Sequence, residues 1–213
     1  MREKLLKWKY KELGEQMIQT LKNKKHDAYL VDSKEDVVST LKNIVPEKSS
    51  VAIGGSITLQ ETGVIDFLKN NDYKFFNRND AKTEDEKREI FLKSFDVDFF
   101  FCSANAITKD GMIVQLDGNG TRVAPMIYGP KNVVMVVGMN KIVTDLQSAD
   151  ERIKEISPMN AKRLDTKTPC VRFGECIDCE SRERICVHKT ILQTGVRHPG
   201  RFKIILVTED LGL

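Results

Sequence analysis

Three short runs in this chain have no polar face: Val97–Cys102 (VDFFFC), Lys131–Val137 (KNVVMVV) and Lys203–Val207 (KIILV). A strand with one wet side alternates polar and apolar residues; these runs do not, so each needs cover on both faces. Shorter runs of the same kind are Ala28–Val31, Ser50–Ile53 and Lys74–Phe76. Between them lie amphipathic stretches with helical spacing: Asp32 or Ser33 to Ile44, Thr58 to Asn70, Asp85 to Phe95 and Asp145 to Ile156. Strands alternating with helices predict an α/β fold with a mostly parallel sheet flanked by helices. Residues 1–213 are read as a single domain opening with a helix over 1–25, whose stripe is Leu5, Trp8, Leu13, Met17, Ile18 and Leu21. Trp8 and its stripe are expected to pack against the body.

Met112–Leu116 and Arg122–Ala124 read as a hairpin about Asp117-Gly118-Asn119-Gly120, a strong turn sequence. Residues 159–201 show little periodicity and read as a Cys-rich insertion before the last strand. A net charge of +3, with Lys and Arg dispersed among Asp and Glu, gives no nucleic-acid footprint. No stretch approaches the ~20 apolar residues of a membrane span, and no export signal is read at the N-terminus. A cytoplasmic location is therefore expected, and in that reducing compartment clustered cysteines point to metal or redox chemistry rather than disulfides.

Ligands of parallel sheets bind beyond the carboxyl ends of the strands. Gly54-Gly55-Ser56 follows the strand at Ser50–Ile53; glycines permit close backbone approach, and Ser56 or Thr58 can cap the next helix or donate to a ligand. Lacking a lysine and a third glycine, the segment is neither a Walker loop nor a dinucleotide fingerprint. A capped tight turn is the plain alternative. The second candidate region begins where VDFFFC empties into Ser103–Thr108 and Lys109-Asp110-Gly111, with Asp117–Arg122 following.

Cys170, Cys176, Cys179 and Cys186 fall within 17 residues, with spacings x5, x2 and x6. Four thiolates suffice for an iron–sulfur cluster, with zinc as the second choice of cofactor and a metal-free or redox-switching thiol set as the other reading. Arg172, Arg182, Arg184 and Lys189 would offset an anionic centre, and His188 is a substitute ligand. Cys102, ending a core strand, reads as a small buried hydrophobe.

VAIGGSITLQETG, CSANAITKDGMIVQLDGNGTRVAPMIYGPKNVVMVVGMNKIV and GECIDCESRERIC resemble the lactate-utilisation domain (LUD) family over roughly residues 11–208. The resemblance implies the fold shared by glucosamine-phosphate deaminases, ribose-phosphate isomerases and CoA transferases. It also implies a component of L-lactate oxidation or related electron transfer, working with iron–sulfur partner subunits. Carried over by position, Gly54, Gly55 and Ser56 match the first glycine loop, and Asn105, Thr108, Asp110 and Gly111 the middle loop. Asp117, Gly118, Gly120 and Arg122 match the hairpin, with Arg122 the expected partner of an anionic small molecule such as a carboxylate, phosphate or acyl-CoA. No catalytic carboxylate like that of the CoA transferases maps onto the sequence. A non-enzymatic metabolite or redox sensor is the alternative, as is transferase- or isomerase-like activity.

Overall fold

A computed structural model describes residues 1–213. The apolar runs form the middle of a six-stranded, wholly parallel sheet. Its order is β1 (Asp27–Val31), β10 (Phe202–Val207), β7 (Asn132–Gly138), β4 (Phe99–Cys102), β2 (Ser50–Ile53) and β3 (Lys74–Phe76). Period-two geometry explains the unbroken apolar sequences. Phe100, Cys102, Val133, Met135, Ile204 and Leu206 enter the core on one face. Phe99, Phe101, Val134, Val136, Ile205 and Val207 enter the core on the other. Cys102 is fully buried.

The second face is covered by α2 (Asp36–Ile44), α3 (Ile57–Glu61) and α4 (Val64–Asn70), through Val37, Leu41, Leu59, Phe67 and Leu68. The first face meets α1 (Arg2–Asn23), through Met17 and Leu21, and α6 (Val123–Ile127), through Met126. It also meets a smaller four-stranded sheet: β8 (Ile142–Val143), β5 (Ala106–Thr108), β6 (Ile113–Asp117) and β9 (His188–Leu192). The outer side of that sheet packs on α7 (Leu146–Arg163) through Ala149 and Ile153. The remaining helices are α5 (Glu84–Lys93) and α8 (Pro169–Phe173). No helix is long and apolar enough to cross a membrane.

Several elements differ from the sequence reading, each for a local reason. The expected helix over 58–70 is two helices, because Gly63 takes a left-handed φ of 68° between α3 and α4. The strand expected at Arg122–Ala124 is the entry to α6; Pro125 is tolerated there because a first-turn N–H has no partner to lose. In α1 only Gly14, Met17 and Leu21 are buried, whereas Leu5 and Trp8 are 59% and 62% exposed, so the expected packing of Trp8 is corrected. Residues 159–201 are not a separate insertion. Residues 159–163 complete α7, and β9 pairs antiparallel with β6, leaving 174–187 as the irregular part. The short, half-polar β9 (HKTIL) carries too weak an alternation to read as a strand.

His26, at the turn into β1, is buried against Phe202, with its ring edge-on at 5.3 Å, and neither ring nitrogen has a hydrogen-bond partner. Burial, reinforced by Lys24 and opposed by Asp27, pushes its pKa down to about 4. The folded pKa lies below the unfolded value of about 6.5, so the unfolded chain binds the extra proton first. Stability is therefore complete above about pH 6.5 and falls as pH drops toward 4, by about 2 kcal/mol at pH 5. Urea titrations should show that loss in the parent, and a flatter profile in His26→Phe. Parallel pH profiles would refute the assignment.

Candidate functional site

Three loops leave the carboxyl ends of neighbouring central strands: Gly54–Ser56 after β2, Ser103–Asn105 after β4 and the turn Met139–Lys141 after β7. They close, with α7 and Ile185–Cys186, around a chamber of about 70 Å³. Three cations line it, Arg122, Lys141 and Arg163, and no Asp or Glu side chain does. It opens into a wider outer trough bordered by Arg78, Asp117, Gly118 and Arg182.

The glycine loop works through space rather than through unusual torsions, since neither Gly54 nor Gly55 has a positive φ. A Cβ on Gly54 would stand 2.9 Å from Arg122 Cγ and 3.3 Å from the Phe100 ring. A Cβ on Gly55 would meet only the mobile end of Arg78. Ser56 caps α3, its Oγ accepting from the Leu59 N–H at 3.3 Å, and Ser56 and Thr58 both line the chamber.

The Asp-Gly-Asn-Gly segment is not a hairpin turn. The Asp117 carboxylate accepts from the backbone N–H groups of Gly120 (3.2 Å), Arg122 (3.0 Å) and Val123 (3.3 Å), so the chain bends into α6. Those bonds use most of what Asp117 can offer. Its nearest approach to the Arg122 guanidinium is 3.9 Å, at Nε, and that buried nitrogen has no hydrogen-bond partner. Arg122 Nη2 donates to Asn105 Oδ1 (2.9 Å) and the Leu116 carbonyl (2.8 Å), which fixes the guanidinium at the chamber wall. Burial pulls the Arg122 pKa below its ordinary value while Asp117 opposes. A guanidinium nevertheless stays charged in any protein.

Four site residues carry no signal that the sequence reading used. Lys141 is 4% exposed and donates to Thr58 Oγ1 (2.8 Å) and Ser103 Oγ (3.1 Å), with no carboxylate bound to it. Burial, then Arg152 and Arg122, push its pKa down to about 7, against Glu61. Arg163 bonds only Asn160 on its own helix, and no carboxylate pairs with Arg78. Burial lowers the pKa of both, and mutual repulsion among Arg78, Arg122 and Arg163 adds to it. Arg152 Nη1 holds the Asn105 carbonyl at 2.9 Å. Each reads in sequence as one more surface cation; the place of Lys141 just past a core strand was the one usable hint.

Of the expected site residues, Gly55, Ser56, Thr58, Asn105 and Arg122 line the chamber, and Asp117 and Gly118 line the trough. Gly54 stands behind Arg122. Thr108, Asp110 and Gly111 are not brought to the site. They build the β5–β6 turn, where the Thr108 hydroxyl bonds Asp110 and the Met112 N–H, and Gly111 abuts Thr20 and Lys24 of α1. Gly120, at a φ of 76°, shapes the loop near His188 rather than the cavity.

Cys170, Cys176, Cys179 and Cys186 line one small cavity with Ser157, Thr168, Ile177 and Ile185. All are free thiols, and no three His, Cys, Asp or Glu side chains converge tightly enough to hold a single metal ion. The expected zinc tetrahedron is therefore not assembled. Arg184 ties the loop by donating to the Cys179 and Cys186 carbonyls and to Asp178. Burial raises the Cys186 thiol pKa, opposed by its hydrogen bond with Ser157. Cys186, Ile185 and Ser157 line both this cavity and the cation chamber.

Gly54→Ala should push Arg122 out of register and cost about 1–3 kcal/mol, as overpacking does. Gly55→Ala, which displaces only the end of Arg78, should fold with nearly the parent stability. Denaturant midpoints for both variants check this; equal losses would show that the two glycines are not distinguished by Arg122.

The sequence profile of the LUD domain matches residues 14–207. No curated protein matches the chain. Among solved structures it is similar to a DUF162 family protein from Deinococcus radiodurans, with 12% identity over 93% of this chain and 97% of that one, at a TM-score of 0.55. It shares 12% identity with ribose 5-phosphate isomerase A from Neisseria gonorrhoeae over 84% of this chain and 94% of that one, at a TM-score of 0.41. With its residues matched from Gly14 to Val207, the chain belongs to the LUD-domain family.

Proposed function

We propose that this protein takes part in organic-acid oxidation, as a lactate-utilisation component that binds a small organic anion in the cation chamber beside a redox centre held by its cysteine loop. One observation carries the reading: three cations line a chamber that no acidic side chain enters. Arg122 and Lys141 are largely withdrawn from water with no carboxylate hydrogen-bonded to their charged groups, which is costly, and a carboxylate ligand repays that cost. Arg122 and Arg163 line the chamber, and Arg163, whose only partner is Asn160 on its own helix, keeps guanidinium donors free for a carboxylate. Family membership supports the metabolic setting.

The four cysteines supply the thiolates for an iron–sulfur cluster, the cofactor we assign here. Such a cluster would provide one-electron chemistry one residue away from the bound anion, because Cys186 borders both cavities. Electron transfer then calls for a redox partner protein.

Arg163 gives the cleaner test of the anion site, because Arg122 also holds Asn105 and Leu116 in place. Calorimetric titration with L-lactate and pyruvate should show binding to the parent. Arg163→Ala should weaken it by the value of a charge-assisted hydrogen bond, about 1.5–3 kcal/mol or roughly 10- to 150-fold. Arg163→Lys should recover part, since it keeps the charge but not the fork. No binding of either acid to the parent would end the organic-acid reading. Anaerobically purified protein should contain iron and sulfide, and Cys176→Ser or Cys179→Ser should lose both with an unchanged far-ultraviolet spectrum. Metal content that is absent throughout, or unmoved by either substitution, would remove the cluster.

A further inference from the structure

We propose that Lys141 is a nucleophilic amine, and that the chamber accepts small oxo acids, whose ketone or aldehyde carbon it captures as an imine. The inference rests on the organic-anion reading of the chamber and adds the residue that reacts.

The geometry provides a nucleophile and nothing to quench it. Lys141 is delivered by the turn that ends β7, the strand paired with β4, and its Nζ lies behind Ser103 and Thr58 of the two flanking loops. A buried ammonium ordinarily finds a carboxylate. This one meets two hydroxyl oxygens, with the side-chain-free face of Gly212 packed against the Thr58 hydroxyl and the amine itself. The two hydroxyls occupy two of the three outward positions of the nitrogen, leaving one for a proton or for a carbonyl carbon. Every charged group near enough to act on it favours the neutral amine except Glu61, because Arg122 and Arg152 repel the ammonium. A lysine desolvated beside other cations is the arrangement that activates amines toward carbonyls. With its pKa pushed down to about 7, its free-amine fraction at neutral pH is on the order of 10³ times that of a solvated lysine.

The substrate class follows from what surrounds the amine. Arg122 and Arg163 on the same wall set take a carboxylate, so the carbonyl compound must carry one. In the reaction the Nζ lone pair forms a bond to the carbonyl carbon, and the carbonyl oxygen takes the proton lost by nitrogen. The carbinolamine then expels water, leaving an imine between Lys141 and the acid. Atoms balance with one water released, no electrons change hands, and Ser103 and Thr58 are within hydrogen-bond reach to pass the protons.

The test traps the imine on the intact chain. The protein is incubated at neutral pH with pyruvate, acetoacetate or levulinate, whose ketone stands next to the carboxylate, one carbon further and two carbons further. Sodium borohydride then reduces any imine to a stable amine, and peptides are mapped by mass spectrometry. At least one acid should leave its reduced adduct on Lys141, well above any surface lysine, and Lys141→Arg should lose it while keeping the positive charge. The parent map decides even if the variant fails to fold. Adducts absent from Lys141, or spread evenly over exposed lysines, overturn the proposal. If the acids raise the melting temperature of the parent yet leave Lys141 unmodified, only the nucleophile falls and the anion site stands. If none binds, both fall together.

Discussion

Two-sided burial of β4, β7 and β10 governs everything else in this molecule. Their side chains enter separate cores on opposite faces, so neither face can be given up to solvent or to a ligand. What remains for chemistry is the end of the sheet. All six strands are parallel, so their carboxyl ends share an edge, and the loops leaving β2, β4 and β7 are brought together there by strand pairing alone. The second sheet then closes the site from one side, because β6 ends at Asp117 and delivers the loop that carries Arg122.

Charge at that edge is arranged in an order of priority. Asp117 is the only carboxylate beside Arg122, yet its oxygens are committed to three backbone N–H groups that set the path into α6. Asn105 is likewise committed, accepting from Leu116 N–H and from Arg122, while Arg152 holds its carbonyl. The polar groups around Arg122 therefore fix its position without cancelling its charge. Arg78 and Arg163 add like charge rather than relief, as their mutual lowering of pKa records. Cations held in place in this way, with no carboxylate hydrogen-bonded to them, are what the proposed anion site requires before its ligand arrives.

The main sheet was legible because its signal is physical and local: runs with no polar face, separated by helical spacing and punctuated by Gly and Pro. Gly55, Ser56 and Asn105 were legible as cleft residues for the same reason, since they follow predicted strand ends, whereas Arg122 stood out by its place just past the Asp-Gly-Asn-Gly turn and by the family resemblance. Thr108, Asp110 and Gly111 also follow a strand, but Ala106–Thr108 is itself a strand of the second sheet, and that shifts the turn to the far side against α1. Asp-Gly-Asn-Gly has the composition of a hairpin turn; what defeats the hairpin is the three-fold capture of N–H groups by Asp117, which depends on chain path and not on composition. Lys141 stayed hidden because burial, not residue type, makes it unusual, and half-buried Arg78 and exposed Arg163 because only the chain path brings them to the two cavities; a sequence holding 34 Lys and Arg does not say which ones meet there.

The same reasoning bears on the cysteine loop. Residues 174–187 are held at one end by α8 on α7 and at the other by β9 on β6, so the loop is suspended across the mouth of the chamber. Gly118 passes so close to the Ile185 backbone that a Cβ there would stand 3.3 Å from its Cα. That approach presses Ile185 and Cys186 into the chamber wall, with Ser157 of α7 completing the partition. The wall between the cation site and the four thiols is therefore one side chain thick. Coupling of the two sites needs no longer path than Cys186.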